Sequence, residues 1–321
     1  MSEIMQIEKK KFGLGESGIV KMTVGRLPSD TEISIEAHVF RSKSEGPTLL
    51  IMAGVHGDEI NGVEIVRKLL HKQDLRSLNK GSIIIIPLLN VFGFINFNRY
   101  VPDGKDVNRS FPGTLNGSLA SRIARTVTKY ILPNVDYIID FHTGGDSRYN
   151  YPQIRYTKSD SRAADLAKVF NPPVIIESGV IPKSLRKTAK EMKIPTLVFE
   201  GGESVRLDGL AIRMGLKGIH NCLTHLGMLQ HPAKLDASKN KPIFVKKTSW
   251  VRANYSGIFI WTVSSGNFVK KGDLLGNIHD PYGHKSIDVL SHKTGYIIGH
   301  NNASVVNLGD ALFNIGYEIE H

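Results

Sequence analysis

The sequence predicts an α/β fold, a mixed sheet flanked by helices, followed by a small all-β unit. Three observations predict it. Between about residues 45 and 230, short apolar runs rich in branched residues alternate with stretches of helical periodicity. Several of these runs end on His, Asp or Glu beside glycines, and open α/β sheets display their chemistry outside the carboxyl ends of their strands. Beyond residue 248 the pattern changes to short alternating runs punctuated by Gly, the mark of an all-β unit. The expected organisation is an α/β unit over 1–235, a polar, Lys- and Pro-bearing linker over 236–247, and the β unit over 248–321.

Composition narrows the class of function. The chain has 321 residues, 41% hydrophobic and 22% charged, which is ordinary for a globular protein with a sizeable core. No apolar run approaches the ~18 residues of a membrane span. The start, MSEIMQIEKKKFGLGESG, lacks the apolar core of a secretory signal, so the reading is a cytoplasmic protein without a membrane partner. The net charge of +11 would suit nucleic acid, an acidic surface or an anionic small substrate. Its basic residues are scattered, with short clusters at Lys9–Lys11 and between Lys239 and Lys247 and no aromatic interleaving, so nucleic acid is not the expected partner. Cys222 is the single cysteine; it reads as a small apolar helix residue rather than a nucleophile. Composition leaves the oligomeric state open, and a homo-oligomer is compatible with it.

Residues 19–40 hold two alternating runs around LPSD, predicting a leading hairpin at the border of the sheet. Leu49–Val55 predicts a buried strand, and from Ile60 the apolar positions recur at helical spacing. His56-Gly57-Asp58-Glu59 therefore falls on a strand-to-helix loop. An imidazole and a carboxylate three residues apart there can converge on one cation; a solvated turn with Asp58 capping the helix is the alternative. A second strand, near Ile83–Leu88, leads into a long irregular loop reaching Pro112, and loops of that length are usually functional or disordered. It carries Arg99-Tyr100 and the run Asp106 to Gly113, rich in cationic and amide side chains.

A helix is expected over Ser118–Ile131, then a strand in VDYIIDFHTGG. Asp140 and His142, two apart, share one face of that strand. With His56 and Glu59 at a comparable strand end, His142 would complete a three-ligand catalytic zinc site that keeps a position for water. Asp140 would orient an imidazole, or be an ordinary solvent-facing Asp. Gly144 to Tyr156 reads as a pocket-shaping loop. A helix over 160–171, a strand in PPVIIES and a helix in SLRKTAKEMK follow, and then the strand Ile194–Phe199 runs into Glu200-Gly201-Gly202-Glu203. Beside a metal, Glu200 has the place of a general base that takes a proton from the attacking water and returns it to the leaving nitrogen. Glu203 is expected to cap the next helix, with substrate binding the alternative. That helix, from about Leu207 to Leu229, carries His220 and His225, both read as structural.

GVHGDE, DFHTGG and VFEGGE, with VNRSFPG between them, resemble the succinylglutamate desuccinylase/aspartoacylase family, a branch of the zinc carboxypeptidase-like hydrolases. The motifs occur in the family's order over residues 45 to 230. The resemblance implies a zinc-carboxypeptidase-like sheet and one zinc per chain held by His56, Glu59 and His142. It also implies Glu200 as general base, Asn108 and Arg109 as the clamp on a substrate carboxylate, and Arg99 as oxyanion stabiliser. VKKGDLLGNI and VVNLGDALFNIG resemble the barrel-sandwich fold of biotinyl and lipoyl carriers, but HDPYGHK replaces a carrier-lysine hairpin. A structural or substrate-shielding module is therefore expected.

The implied activity is zinc-dependent deacylation of a small anionic N-acyl amino acid or related amide. A metallocarboxypeptidase acting on peptides would use the same zinc and Glu. A non-catalytic small-molecule or nucleic-acid binding protein is a reading of another class, and it has no need of Glu200.

Overall fold

The computed structural model describes residues 4–26, 29–229 and 241–320. β1 (Met5–Ile7) and β2 (Lys10–Phe12) form a small antiparallel pair. β3 (Ser17–Arg26) and β4 (Glu32–Arg41) are the expected hairpin and lie at one edge of a twelve-stranded sheet. Next come β5 (Thr48–Ala53), α1 (Ile60–Leu70), β6 (Ser82–Ile86), α2 (Val91–Ile95), α3 (Leu119–Thr126) and β7 (Tyr137–Gly144). They are followed by β8 (Arg148–Thr157), α4 (Ser161–Phe170), β9 (Val174–Ser178), α5 (Leu185–Glu191), β10 (Thr196–Glu203) and α6 (Gly209–His225). The C-terminal strands are β11 (Ile243–Arg252), β12 (Gly257–Trp261), β13 (Phe268–Val269), β14 (Leu274–His279), β15 (Ser286–Leu290), β16 (Gly295–Asn301), β17 (Val305–Val306) and β18 (Ala311–Glu320).

The large sheet runs β13-β16-β18-β11-β9-β8-β10-β7-β5-β6-β4-β3. Its centre, β10-β7-β5-β6, is parallel, and β5 and β6 are buried at every residue. Continuous apolar runs are what strands covered on both faces require. Leu50, Met52 and Ile84 pack on one face with Ile123 and Val127; Ile51, Ile85 and Phe141 pack on the other against α1, α4 and α6. Gly215 and Gly218 let α6 approach closely, because a Cβ there would fall 2.5 Å from Ile65 Cδ1 and 2.1 Å from Phe170 Cε1. The parallel register sets Ala53 beside Phe141 and His142 beside Glu200, so three strand ends open on one place.

Four sequence expectations are corrected. Gly144 to Tyr156 is not a loop: β8 pairs antiparallel with β10 and parallel with β9. The segment after β6 is not wholly irregular, since Asn90 Oδ1 accepts from Gly93 N and caps the short α2. Glu203 does not cap α6, whose cap is Asp208, accepting from Ala211 N at 2.6 Å; Glu203 Oε2 instead accepts from Asn302 Nδ2 at 2.6 Å. Of the expected linker, 236–240 lies outside the described residues. From Ile243 the chain is already strand, since β11 pairs with β9 and carries the sheet into the C-terminal region. There a second sheet, β15-β14-β12-β17, encloses Phe259, Leu275, Ile278, Ile297, Phe313 and Ile315 with β11, β13, β16 and β18. The result is a mixed α/β fold with a strand-rich C-terminal region.

Candidate active site

At the carboxyl end of β5 the chain leaves the sheet through Gly54 at φ +65°, and His56 is buried against the start of α1. Gly57 N–H donates to Asn98 O, and a Cβ on Gly57 would fall 1.9 Å from Gly93 C, so only glycine lets the two loops meet. Glu59 occupies the position preceding α1 without capping it, and its carboxylate turns inward. Its Oε1 lies 2.7 Å from His56 Nδ1 and its Oε2 lies 2.8 Å from His142 Nδ1. The two Nδ1 atoms are 3.3 Å apart.

The far nitrogens face carboxylates. Asp140 is buried rather than solvent-facing, with its Oδ2 2.9 Å from His142 Nε2, and Asp106 Oδ1 lies 3.2 Å from His56 Nε2. Each carboxylate favours the tautomer with its proton on Nε2, which turns the Nδ1 lone pairs of both rings toward Glu59. Donor atoms from the three residues all lie within 4.8 Å of one another. This donor chemistry, two imidazoles and a carboxylate with outer carboxylates behind the rings, fits a divalent metal.

The electrostatics agree with a cation at this point. Burial disfavours charge on His56 and His142, yet Glu59 with Asp106 holds the first above its ordinary pKa, and Asp140 with Glu59 holds the second well above. Burial alone would raise Glu59, but the two imidazoles hold its carboxyl far below the usual range. Asp58 does the opposite, raised by burial and by Glu59. Three buried groups thus favour shared positive charge, which a metal ion supplies without protons.

Arg99 reaches the cluster as well. The turn Val101–Lys105, closed by Val101 N–H to Lys105 O, brings Asp106 back to Arg99, whose Nε and Nη2 donate to Asp106 Oδ2 at 3.1 and 2.9 Å. Its Nη1 then lies 3.5 Å from Glu59 Oε1. Asn108 Oδ1 accepts from Leu185 N–H at 3.0 Å, and Arg109 is exposed at the rim.

All seven sequence-predicted residues, His56, Glu59, Arg99, Asn108, Arg109, His142 and Glu200, line one pocket of about 430 Å³. Glu200 lies on its wall beside Asn150, Arg155 and Arg186; burial raises its pKa, while Arg155 and His142 oppose the rise. Arg186 is lowered to about 10 by burial and the neighbouring Arg155, and donates to Ser178 Oγ and Gly179 O. Trp250 of β11 completes the lining from the C-terminal region.

Asp106, Asn150, Arg155 and Arg186 were not singled out in the sequence. Asp106 had a readable signal, its place two residues before Asn108 in the same turn-rich run. The other three had none, because nothing local marks them as facing a pocket.

The chain resembles known enzymes over nearly its whole length. It is 28% identical over 296 residues to N-alpha-acetyl-L-2,4-diaminobutyric acid deacetylase of Halomonas elongata, covering 87% of this chain and 84% of that one. The crystal structure of a succinylglutamate desuccinylase/aspartoacylase from Rhodobacter sphaeroides superposes with a TM-score of 0.83 at 25% identity, over 95% of this chain and 94% of that one. The product-bound ectoine utilization protein EutE (DoeB) from Ruegeria pomeroyi gives 0.84 at 25% identity, over 94% of each chain. Residues 45–226, more than half of the sequence and every pocket residue from His56 to Glu200, match the succinylglutamate desuccinylase/aspartoacylase catalytic domain, and the chain belongs to that family.

Proposed function

We propose that the protein is a zinc-dependent amidohydrolase that removes the acyl group from a small N-acyl amino acid or related carboxylate-bearing amide. The observation that carries this reading is the register of three adjacent parallel strands, which brings His56, Glu59 and His142 into one pocket with Glu200. One zinc per chain, held by His56, Glu59 and His142, would supply an acidified water and a Lewis-acid pole for the scissile carbonyl.

The chain's own groups do the rest. Glu200, its pKa raised by burial, is suited to take a proton and give it back to the leaving nitrogen. The Arg99 guanidinium, held by the two hydrogen bonds it donates to Asp106, would offer fixed positive charge to the carbonyl oxygen as it gains negative charge. Arg109 offers a planar fork to a substrate carboxylate, and the Asn108 amide nitrogen stays available because its oxygen is engaged by Leu185. The sheet with its helices then acts as a zinc-carboxypeptidase-like catalytic unit over 1–235. The strands beyond 248 serve as a structural and shielding module rather than a carrier, with Trp250 at the pocket wall. We assign the protein to the cytoplasm; among the described residues no helix is long and apolar enough to cross a membrane.

The test is amine release by zinc-loaded enzyme from a panel of N-acetyl, N-succinyl and N-formyl amino acids that includes Nα-acetyl-L-2,4-diaminobutyrate. Release from panel members and none from free dipeptides supports the deacylase. Preferential cleavage of dipeptides would make it a carboxypeptidase.

A further inference from the structure

Among the described residues the Glu200 carboxylate accepts one hydrogen bond, from Asn150 Nδ2 to Oε2 at 3.0 Å. The charged groups around it, Arg155, His142 and His56 on one side of the balance and Glu59 on the other, act through space without fixing a rotamer. The bond engages Oε2, and Glu200 is among the residues that line the pocket.

Asn150 is itself held from both sides. It lies on β8 where the sheet joins the two parts of the chain, opposite Gly202 of β10 and opposite Gly299 of β16. Gly299 does not have positive φ, so its backbone does not require glycine. Space requires it: a Cβ there would fall 2.9 Å from Asn150 Oδ1 and 3.1 Å from Tyr149 O. The amide of Asn150 therefore rests with its oxygen over a gap in the C-terminal strand and its nitrogen on Glu200.

From this arrangement we propose that Asn150 positions the Glu200 carboxylate for proton transfer, and that strand β16 of the C-terminal region holds Asn150 through the space left by Gly299. The C-terminal region then contributes to turnover as well as to shielding. The inference rests on the reading of Glu200 as general base. A misplaced base loses rate rather than substrate affinity, because the carboxylate is needed at the proton-transfer step.

The experiment uses the zinc-loaded full chain and the panel member that wild type deacylates fastest, with Asn150→Ala, Asn150→Asp, Gly299→Ala and Glu200→Gln assayed side by side. A general base typically contributes about 10²- to 10⁴-fold, so Asn150→Ala and Gly299→Ala are each expected to lower kcat by about tenfold or more. KM should stay within about twofold, since only a transition-state interaction is lost, and zinc content and Tm should hold. Asn150→Asp keeps the shape but cannot donate at mildly alkaline pH, so it should lose at least as much. On the Glu200→Gln background, Asn150→Ala should add nothing.

Wild-type kcat in Asn150→Asp would reduce Asn150 to a space-filling residue and overturn the proposal. A rise in KM alone would make it a substrate contact and also overturn it. Full activity of Glu200→Gln would instead remove the general-base reading, and the positioning role with it. Crystal structures of Asn150→Ala and Gly299→Ala give a second readout independent of turnover: a Glu200 carboxylate displaced from its wild-type rotamer is expected, and an unmoved one contradicts the proposal.

Discussion

Asp106 joins three parts of the site. It accepts from Arg99, faces His56 Nε2 and caps its own turn by accepting from Asn108 N–H at 2.7 Å. Asp106→Asn keeps the shape but removes the charge behind the imidazole, and outer-shell losses of this kind cost about 10- to 100-fold in metal affinity. A chelator-competition titration checks this, and unchanged zinc affinity would show that His56 does not depend on Asp106. Arg109 is a different case, since it is exposed at the rim of the pocket. Arg109→Lys should raise KM for carboxylate-bearing substrates by about tenfold, because an ammonium cannot reproduce the bidentate fork. Equal kinetics for the two enzymes would refute the clamp. At this scale the sequence was legible where chemistry sits at the end of an apolar run, as with His56, His142 and Glu200. Arg186 was not, because its burial depends on where α5 packs, and nothing within SLRKTAKEMK marks one of its basic residues as buried.

Most elements of the α/β part were legible from periodicity: the hairpin, β5, α1, β7, α4, β9 and α6 fall where the patterns put them. Strand β8 did not, and Pro152 is the physical reason. A Pro inside a run argues against a central strand, since it cannot donate to the ladder. In the fold, Gln153 pairs with Glu200 and Asn150 with Gly202, so Tyr151 and Pro152 face Gly201 in a bulge that asks for no Pro N–H. The Glu203 cap failed for a related reason. A carboxylate just before a helix is a good local signal, but β10 runs through Glu203, and Asp208 stands at the actual helix start. The close approach of α6 gives a stability prediction. Gly218→Val should destabilise the protein by about 1–3 kcal/mol through overpacking against Phe170, read as a lower urea midpoint at unchanged m-value. An unchanged midpoint would mean that α6 and α4 separate freely.

The largest departure from the sequence reading is that the polar segment before residue 248 does not end the sheet. Pairings β9–β11 and β8–β16 carry backbone hydrogen bonding from the α/β part into the C-terminal strands. Long-range pairing of this kind has no local signature, because either strand alone shows only its own alternation. A shared sheet predicts that the two parts unfold together, in one transition seen equally by far-ultraviolet circular dichroism and by loss of activity. Two separated transitions would contradict it. Parallel strands bring His56, Glu59, His142 and Glu200 to one pocket, and strand β8, paired with both parts, carries Asn150, which donates to Glu200. The proposed deacylation requires Glu200 to be a base and not a ligand. The most direct measurement is therefore zinc content and turnover of Glu200→Gln beside wild type: one zinc per chain retained with turnover lost is the predicted result, and lost zinc or surviving turnover would contradict it.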